Sequence, residues 1–364
     1  MADYAEILVR MRAFPRRWCV TGGAGFIGSH LVEALLRCGQ EVAVLDDFST
    51  GSPQNLELVR RDVGREAAAR LEVHRGDIRN AAACEGALRG AEIVLHQAAL
   101  GSVPRSIARP LATHDVNVTG FLNVLVAAGA AGVRRVVYAS SSSVYGDHPA
   151  LPKREGSTGR PLSPYAASKQ CDEAYAHAFA SCYGTELVGL RYFNVFGPRQ
   201  DPDGPYAAVV PRWFAALVRG QPVEIYGDGE TSRDFCYVAN VVQANLLAAT
   251  TSRPEALGRA YNVAYGGRTT LNELFALIRA QVARLLPDVA DRRPVYREFR
   301  AGDVRHSLAD ISPASALLGY RPDHSVAEGL KKASAWYTAA LQPLEVGLPA
   351  PAVDRTTSRG ETLV

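Results

Sequence analysis

The sequence lacks an excess of charge of either sign: 40 lysines and arginines stand against 37 aspartates and glutamates, a formal net charge of +3. Such a balance gives no general attraction for polyanions. The arginine pairs Arg60-Arg61 and Arg292-Arg293 are therefore interpreted as solvated surface rather than as phosphate-binding patches. No nucleic-acid partner is expected.

Cysteine is scarce, and its spacing excludes the usual metal sites. The six cysteines form no C-x-x-C pair and no other metal-ligand spacing, so no bound metal is expected. Long apolar runs are also missing: no stretch approaches the roughly 18 apolar residues of a membrane span, and no apolar signal segment follows the first residues. We predict a cytoplasmic protein with reduced thiols and no membrane partner.

Glycine, in contrast, is concentrated in one turn within residues 20–30. A short apolar strand pattern precedes this turn and an amphipathic helix pattern follows it, which is the context of a dinucleotide-binding fingerprint. Gly22, Gly25 and Gly28 fit G-x-x-G-x-x-G, and with Gly23 the turn also fits G-x-G-x-x-G. Glycines there let a pyrophosphate touch the backbone at a helix N-terminus. A glycine turn without a ligand is the alternative.

A second strand pattern at 41–45 ends on Asp46, 18 residues after Gly28. A carboxylate at this place accepts hydrogen bonds from the adenosine ribose and repels a 2′-phosphate, which favours NAD over NADP. The alternative is that Asp46 only begins the polar loop that follows.

Strand and helix patterns alternate as far as residue 195, and the chain is 47% apolar, enough for a large core. Strands are predicted at 71–74, 92–96, 134–140 and 186–191, and helices at 81–88, 111–131 and 164–183. This alternation predicts an α/β fold, a Rossmann-type doubly wound parallel sheet, with a smaller C-terminal substrate lobe. The predicted parts are an N-terminal arm (1–16), an NAD-binding domain (17–195), an interleaved substrate lobe (196–341) and a disordered tail (342–364).

Tyr165 and Lys169 are spaced i, i+4 near the start of a predicted helix, so both side chains lie on one face. A phenol with a pKa near 10 is a poor base at neutral pH, and an ammonium one turn away favours the phenolate. Upstream, the serines 140–143 follow a strand and offer hydroxyls to the same edge of the sheet as the glycine turn. A surface tyrosine–lysine pair and a polar serine loop are the alternatives.

Six motifs carry a resemblance to a known family. They are TGGAGFIG, GDI, HQAA, SSSSVYG, YAASK and RYFNVFGPRQ, in this order along the chain. From about residue 17 to residue 340 the sequence resembles the extended short-chain dehydrogenase/reductase family, specifically the nucleotide-sugar 4-epimerases. The stretches LHQAALGSVPRS, SPYAASK and YGDGETSRDFCYV are most similar to bacterial UDP-N-acetylglucosamine 4-epimerases. The motifs are less specific for the sugar than for the family.

The resemblance implies an NAD-dependent homodimer, paired through the helices 111–131 and 164–183. It implies interconversion of UDP-N-acetylglucosamine and UDP-N-acetylgalactosamine through a 4-keto sugar. The implied cofactor-binding residues are Gly22, Gly25, Phe26, Ile27, Gly28, Asp46, Asp77, Ile78, Gln97, Ala98, Ala99, Tyr165, Lys169 and Phe193. The implied catalytic residues are Ser141, Ser143, Tyr165 as the base and Lys169 as its partner. The implied contacts to the UDP-sugar further include Ser142, Asn194, Arg233, Arg300 and Asp303, although a surface ion pair is an alternative for Arg233 and Arg300.

Several residues bear on the sugar. Epimerases restricted to UDP-glucose and UDP-galactose carry a tyrosine where this chain has Ser307 and a lysine where it has Gly101, so both differences favour an N-acetylated sugar. Gln200 and Ala208 fit the same subgroup. A uronate stays open, because Ser102 and Arg105 could meet a carboxylate; UDP-N-acetylglucosaminuronate and UDP-glucuronate are therefore alternative substrates.

Two other kinds of function are alternatives to 4-epimerisation. A dehydratase of this family carries Asp-Glu, and a decarboxylase a Glu, where this chain has Ser142-Ser143, which argues against both. An NAD-sensing protein without catalysis is the remaining alternative. Such proteins tend to lack the Tyr165–Lys169 pair and the arginines on the UDP side.

Overall fold

The computed structural model describes residues 4–203, 207–299 and 304–341. The predicted tail (342–364) and two of the predicted UDP-sugar contacts, Arg300 and Asp303, which the resemblance places at the uridine end, lie outside these ranges. No helix within the described part of the chain is long and apolar enough to cross a membrane.

The chain forms the following elements. The strands are β1 (Arg17–Thr21), β2 (Glu41–Asp46), β3 (Leu71–Arg75), β4 (Ile93–His96), β5 (Arg135–Ser141), β6 (Glu186–Tyr192), β7 (Val195–Phe196), β8 (Glu224–Tyr226), β9 (Ser232–Arg233), β10 (Cys236–Tyr237), β11 (Arg259–Val263), β12 (Thr269–Thr270) and β13 (Val295–Arg297). The α-helices are α1 (Tyr4–Ala13), α2 (Phe26–Arg37), α3 (Pro53–Val63), α4 (Arg65–Ala68), α5 (Ala81–Leu88), α6 (Val103–Ala108), α7 (Pro110–His114), α8 (Gly120–Ala130), α9 (Pro164–Tyr183), α10 (Val209–Val218), α11 (Val238–Thr250), α12 (Leu271–Ala283), α13 (Ser312–Leu318) and α14 (Val326–Leu341).

A seven-stranded parallel sheet in the order β11-β6-β5-β4-β1-β2-β3 is the centre of the fold. Strands β1, β2 and β4 are buried along nearly their whole length, as expected for strands covered by helices on both faces. The chain moves outwards from β1 in one direction and then returns to β4 on its other side. The predicted Rossmann-type sheet is confirmed, and this reversal between β1 and β4 is where such sheets bind ligands.

The strand bounds agree with the prediction to within one residue, but the helix predicted at 111–131 is not a regular α-helix. It consists of α7, a π-helical segment (Asp115–Thr119) and α8. The π-helical turn directs Asn117 inwards, where its side-chain amide donates to the Ser168 hydroxyl at 3.0 Å and its side-chain oxygen accepts from the Leu100 N–H at 2.8 Å. These tertiary bonds favour a turn that sequence periodicity does not reveal.

The second half of the chain contributes to two hydrophobic cores, the main core around the seven-stranded sheet and a separate core of the second lobe. Strand β11 pairs with β6 at one edge of the main sheet, whereas α10, α12 and α14 build a second hydrophobic core. In that core Phe214 and Tyr337 stack with ring centroids 4.7 Å apart. At the other end of the chain, α1 buries Met11 against the main core.

Candidate active site

A cleft of about 550 Å³ opens at the carboxyl ends of β1, β2, β4 and β5. Most of the residues predicted to bind cofactor or substrate line it together. They are Gly22, Gly25, Phe26, Ile27, Gly28, Asp46, Asp77, Ile78, Gln97, Ala98, Ala99, Gly101, Ser102, Ser141, Ser142, Ser143, Tyr165, Lys169, Asn194, Gln200 and Ala208. Residues separated by up to 186 positions in sequence thus share one cavity.

The glycine turn packs too closely for any side chain. Gly22 has φ +68°, and a Cβ atom on it would lie 2.7 Å from the Ala98 nitrogen. A Cβ on Gly28 would lie 2.0 Å from the Gly22 carbonyl oxygen. The N-terminus of α2, at Gly25, has no side-chain cap, which leaves backbone N–H groups available to a phosphate. The turn therefore fits a dinucleotide pyrophosphate.

Asp46 both shapes this turn and faces the cleft. Its carboxylate accepts from the Ala24 and Phe48 N–H groups, each at 2.8 Å, and only 6% of the residue is exposed. Burial raises the pKa of Asp46, although the two backbone hydrogen bonds act in the opposite direction. The turn-forming and ribose-binding interpretations are compatible, because each carboxylate oxygen can accept more than one hydrogen bond.

Helix α9 places Tyr165 and Lys169 on the cleft. The Ser163 hydroxyl caps its N-terminus by accepting from the Ala166 N–H at 3.1 Å, and Pro164 stands in the first turn. Tyr165 is half-buried, whereas Lys169 is 2% exposed and donates to the Ala139 carbonyl and to Asp172 Oδ2, each at 3.0 Å. This burial contradicts the alternative of a surface tyrosine–lysine pair.

The serines 140–143, at the end of β5 and directly after it, have different hydrogen-bond partners. Ser140 donates to Glu173 at 2.6 Å, and Ser141 accepts from the Ser143 N–H at 3.2 Å. The Ser143 hydroxyl is buried and has no hydrogen-bond partner within the described part of the chain. Buried polar atoms are usually satisfied, so Ser143 fits a ligand hydroxyl.

Other predicted contacts lie at the middle and far end of the cleft. Gln97 accepts from the Tyr192 hydroxyl at 3.1 Å and is thereby oriented along the cofactor side. Asn194 adopts φ +33° and donates to the Asp234 carbonyl at 3.1 Å. A non-glycine residue in this region of φ is uncommon, which is consistent with a constrained position beside a ligand.

Three predicted residues do not line the cleft. Phe193 is fully buried and packs beside Tyr145 with ring centroids 6.0 Å apart, so the prediction that its side chain borders the nicotinamide is not supported. Its neighbours Tyr192, Asn194 and Val195 line the cleft instead.

The other two, Arg233 and Ser307, lie next to each other outside the cavity. Arg233 donates to the Ser232 and Arg305 carbonyls at 3.0 and 3.2 Å, and the Ser307 N–H donates to the Ser232 carbonyl at 3.0 Å. Both residues therefore belong to one strand pairing of the second lobe, and their contact with a UDP-sugar stays a prediction.

Sequence reasoning missed several cleft residues: Leu100, Val116, Ala139, Tyr192 and Val195 all line the cavity. The positions of Ala139 and Tyr192 at strand ends could have indicated them, whereas Val116 lies in the π-helical segment. Within the described residues no group of three or more His, Cys, Asp or Glu side chains could hold a metal ion.

A phosphate-binding glycine turn and a tyrosine–lysine pair in one cleft define a Rossmann-type enzyme that oxidises and reduces its substrate through a dinucleotide. Residues 18–264 match the model of the NAD dependent epimerase/dehydratase family. The chain belongs to this family. It is an NAD-dependent isomerase, and the predicted cofactor and enzyme class are confirmed.

Individual relatives differ in the sugar they are named for. A UDP-glucose 4-epimerase of Mycolicibacterium smegmatis is 39% identical over 87% of this chain and 96% of its own. The structure of a UDP-N-acetylglucosamine 4-epimerase from Methanobrevibacter ruminantium, in complex with UDP-N-acetylmuramic acid, is 38% identical with a TM-score of 0.81, covering 90% and 99% of the two chains. A UDP-glucuronic acid 4-epimerase from Bacillus cereus is 28% identical with a TM-score of 0.77, covering 89% and 99%.

Proposed function

We propose that the protein interconverts UDP-N-acetylglucosamine and UDP-N-acetylgalactosamine by inverting carbon 4 of the sugar. The observation that carries this proposal is the position of Tyr165 and Lys169 in the same cleft as the glycine turn. A base within reach of a dinucleotide site is what transient oxidation of a hydroxyl requires.

The residues of the cleft divide the reaction between them. Tyr165 takes the proton of the 4-hydroxyl, and Lys169 stabilises the phenolate that does so. Ser141 and Ser143 hold the reacting hydroxyl in place. Gly22, Gly25, Gly28 and Asp46 would hold NAD, which would supply a reversible hydride acceptor for carbon 4. Because the 4-keto sugar has no stereocentre at that carbon, its rotation about the bond to the diphosphate presents the opposite face for the return step.

Small residues around the cleft support an N-acetylated sugar. A Cβ atom built on Gly101 would meet nothing within 4 Å, and Ala208 also lines the cavity. The Methanobrevibacter ruminantium relative, named for UDP-N-acetylglucosamine, supports the same choice. The alternative substrate is a uronate, which the Bacillus cereus relative and the position of Ser102 in the cleft favour.

Four UDP-sugars offered separately to the purified protein test the proposal: glucose, glucuronate, N-acetylglucosamine and N-acetylglucosaminuronate. Chromatography separates each from its 4-epimer. We expect the highest kcat/KM on UDP-N-acetylglucosamine. A higher kcat/KM on either uronate would replace the proposed substrate with that uronate, and no epimer from any of the four would refute 4-epimerisation.

Ser307→Tyr is expected to discriminate between sugars. If Ser307 leaves volume beside carbon 2, the phenol will fill it, and kcat/KM on UDP-N-acetylglucosamine should fall at least about tenfold more than on UDP-glucose. Ser157→Tyr, on an exposed loop, is the matched control and should change neither value. Equal losses on the two sugars in Ser307→Tyr would count against the volume argument.

We also propose that the protein is a homodimer paired through residues 111–131 and 164–183, that is, through α7, α8 and α9. Apolar side chains are exposed on these helices: Leu111 is 78% exposed, Val126 58% and Tyr183 72%. Analytical ultracentrifugation should give twice the mass of one chain, and Val126→Glu should shift the protein to the monomer. A wild-type protein that sediments as a monomer would refute the pairing.

We further propose that the reaction takes place in the cytoplasm. The six cysteines are free, and Cys19 and Cys84 are fully buried in the core beside the main sheet. Free thiols of this kind are typical of a reducing compartment.

A further inference from the structure

The Lys169 ammonium is held by a carboxylate that the mechanism above does not use. Asp172 lies one turn further along α9, is 1% exposed, and accepts from Lys169 Nζ through Oδ2 at 3.0 Å. Its other oxygen, Oδ1, is buried without a hydrogen-bond partner within the described residues. A buried carboxylate with one unsatisfied oxygen lowers the stability of the fold. Stability therefore does not explain why Asp172 lies beside a reacting group, and a role in the reaction does.

The neighbouring acidic residue has different partners. Glu173 accepts from the Arg191 guanidinium through both carboxylate oxygens at 2.8 Å and from the Ser140 hydroxyl at 2.6 Å. Asp172 is therefore the carboxylate that acts directly on Lys169. The two consecutive acids serve separate networks.

Once the pair has lost one proton, Tyr165 and Lys169 can share the remaining proton in two ways. Either the phenol is deprotonated and the lysine is an ammonium, or the phenol keeps its proton and the lysine is a neutral amine. Both forms carry the same number of protons, so the balance between them depends on the surroundings. Burial alone favours the uncharged form, because desolvation penalises charge.

Asp172 shifts this balance towards the ammonium. It touches Lys169 at 3.0 Å, whereas Tyr165 is seven residues away on the same helix, about 10 Å along its axis. The attraction for the ammonium therefore exceeds the repulsion of the phenolate. Burial lowers the pKa of Lys169, but the charges of Asp172, Tyr165 and Glu173 together outweigh it, and the pKa lies above its ordinary value.

Other charged groups around the pair do not replace Asp172. His96, on β4, has its pKa lowered to about 3 by burial and by Lys169, so it is neutral at physiological pH. Tyr138, on β5, is fully buried and its pKa is raised, so it stays protonated. The Glu173 charge is compensated by Arg191 on β6.

We propose that Asp172 is a positioning residue of this enzyme, which by holding the Lys169 ammonium keeps the shared proton on the lysine and leaves Tyr165 available as the base. The proposal rests on the proposed role of Tyr165. It assigns to Asp172 no contact with substrate or cofactor.

Asp172→Asn tests the proposal, because the amide keeps an acceptor for Lys169 and removes only the charge. The first readout is the ultraviolet difference band of tyrosinate near neutral pH, measured without sugar and against Tyr165→Phe as the baseline. Burial raises the pKa of Tyr138, Tyr145 and Tyr192, so these residues should not contribute. We expect the band to be present in the wild type and lost in Asp172→Asn.

The second readout is kinetic. In Asp172→Asn kcat should fall at least about tenfold, which is the effect of a one-unit change in the difference between the pKa values of Lys169 and Tyr165. KM should change by less than about twofold. An unchanged band would overturn the proposal, as would equal effects on kcat and KM. If the asparagine variant does not fold, Asp172→Ser carries the same expectations.

Introducing Asp172→Asn into a Lys169→Arg variant is the matched control. A guanidinium does not give up its proton in proteins, so in this background Asp172→Asn should leave the tyrosinate band unchanged. An equal loss of the band in both backgrounds would show that Asp172 does not act through the lysine. Because no sugar is added, the band also separates this proposal from the choice of substrate: turnover can fail on every UDP-sugar while the band behaves as expected.

Discussion

Tyr165→Phe is expected to lower kcat at least about a thousandfold while leaving UDP affinity within about twofold of the wild type. Phenylalanine keeps the ring that lines the cleft and removes only the oxygen that takes the proton. Tyr192 also lines the cleft, but its hydroxyl is hydrogen-bonded to Gln97 and Asn245 and burial raises its pKa, so proton removal would then depend on water. Epimer formation from UDP-N-acetylglucosamine gives kcat, and calorimetric titration with UDP gives the affinity.

Tyr175→Phe is the matched control for this variant, since Tyr175 lies on the same helix but is 39% exposed. It should retain wild-type kcat and UDP affinity. Tyr165→Phe with more than a few per cent of the wild-type rate would show that another group is the base. Loss of UDP affinity together with kcat would instead indicate that the substitution had disturbed the cleft.

The parts of the site that sequence predicted well depend on local spacing. Gly22, Gly25 and Gly28 follow a buried strand and open a helix, and this order alone fixes their geometry. Tyr165 and Lys169 are one helical turn apart, so their shared face follows from the period of the helix. The parallel strands were found to within one residue because strands buried on both faces are continuously apolar.

What sequence could not predict depends on contacts between distant segments. The pairing that places Ser307 beside Arg233 joins backbone groups 73 to 75 positions apart, and no local pattern encodes it. Likewise, the sequence Asp172-Glu173 does not show which acid meets Lys169, because burial and the position of Arg191 decide it. The orientation of Phe193 also depends on a distant contact, because its buried ring packs beside Tyr145, 48 positions earlier in the sequence.

Two buried cations near the cleft are each neutralised by an adjacent carboxylate. Lys169 is compensated by Asp172 and Arg191 by Glu173, both through buried ion pairs. Such pairs contribute little net stability but fix the positions of the groups they join. The base and its partner are thus held by α9, whereas Arg233 and Ser307, both proposed to contact the UDP-sugar, lie in a short strand pairing of the second lobe. This division is consistent with a reaction in which the chemical groups stay fixed and the sugar ring turns.

Gly28→Ala is expected to remove the cofactor from the protein. The added Cβ atom would lie 2.0 Å from the Gly22 carbonyl oxygen and 2.8 Å from its carbon, and backbone atoms cannot move aside as a flexible side chain can. Overpacking of this kind costs up to about 3 kcal/mol, which corresponds to roughly a hundredfold weaker NAD binding if the cost falls on the bound state. Release of nucleotide from denatured protein, measured by chromatography, should show a fraction of the wild-type NAD content.

Gly86→Ala is the matched control, because a Cβ atom at this position in α5 meets nothing within 4 Å. Alanine is also the better helix former, so the variant should keep its NAD and be at least as stable as the wild type. Full NAD content in Gly28→Ala would mean that the turn opens without affecting the nucleotide, and the pyrophosphate would then have to be held elsewhere. Of the two substituted positions, Gly28 lies in the glycine turn and Gly86 does not. Loss of NAD from both variants would therefore indicate general instability of the fold rather than an effect on the turn.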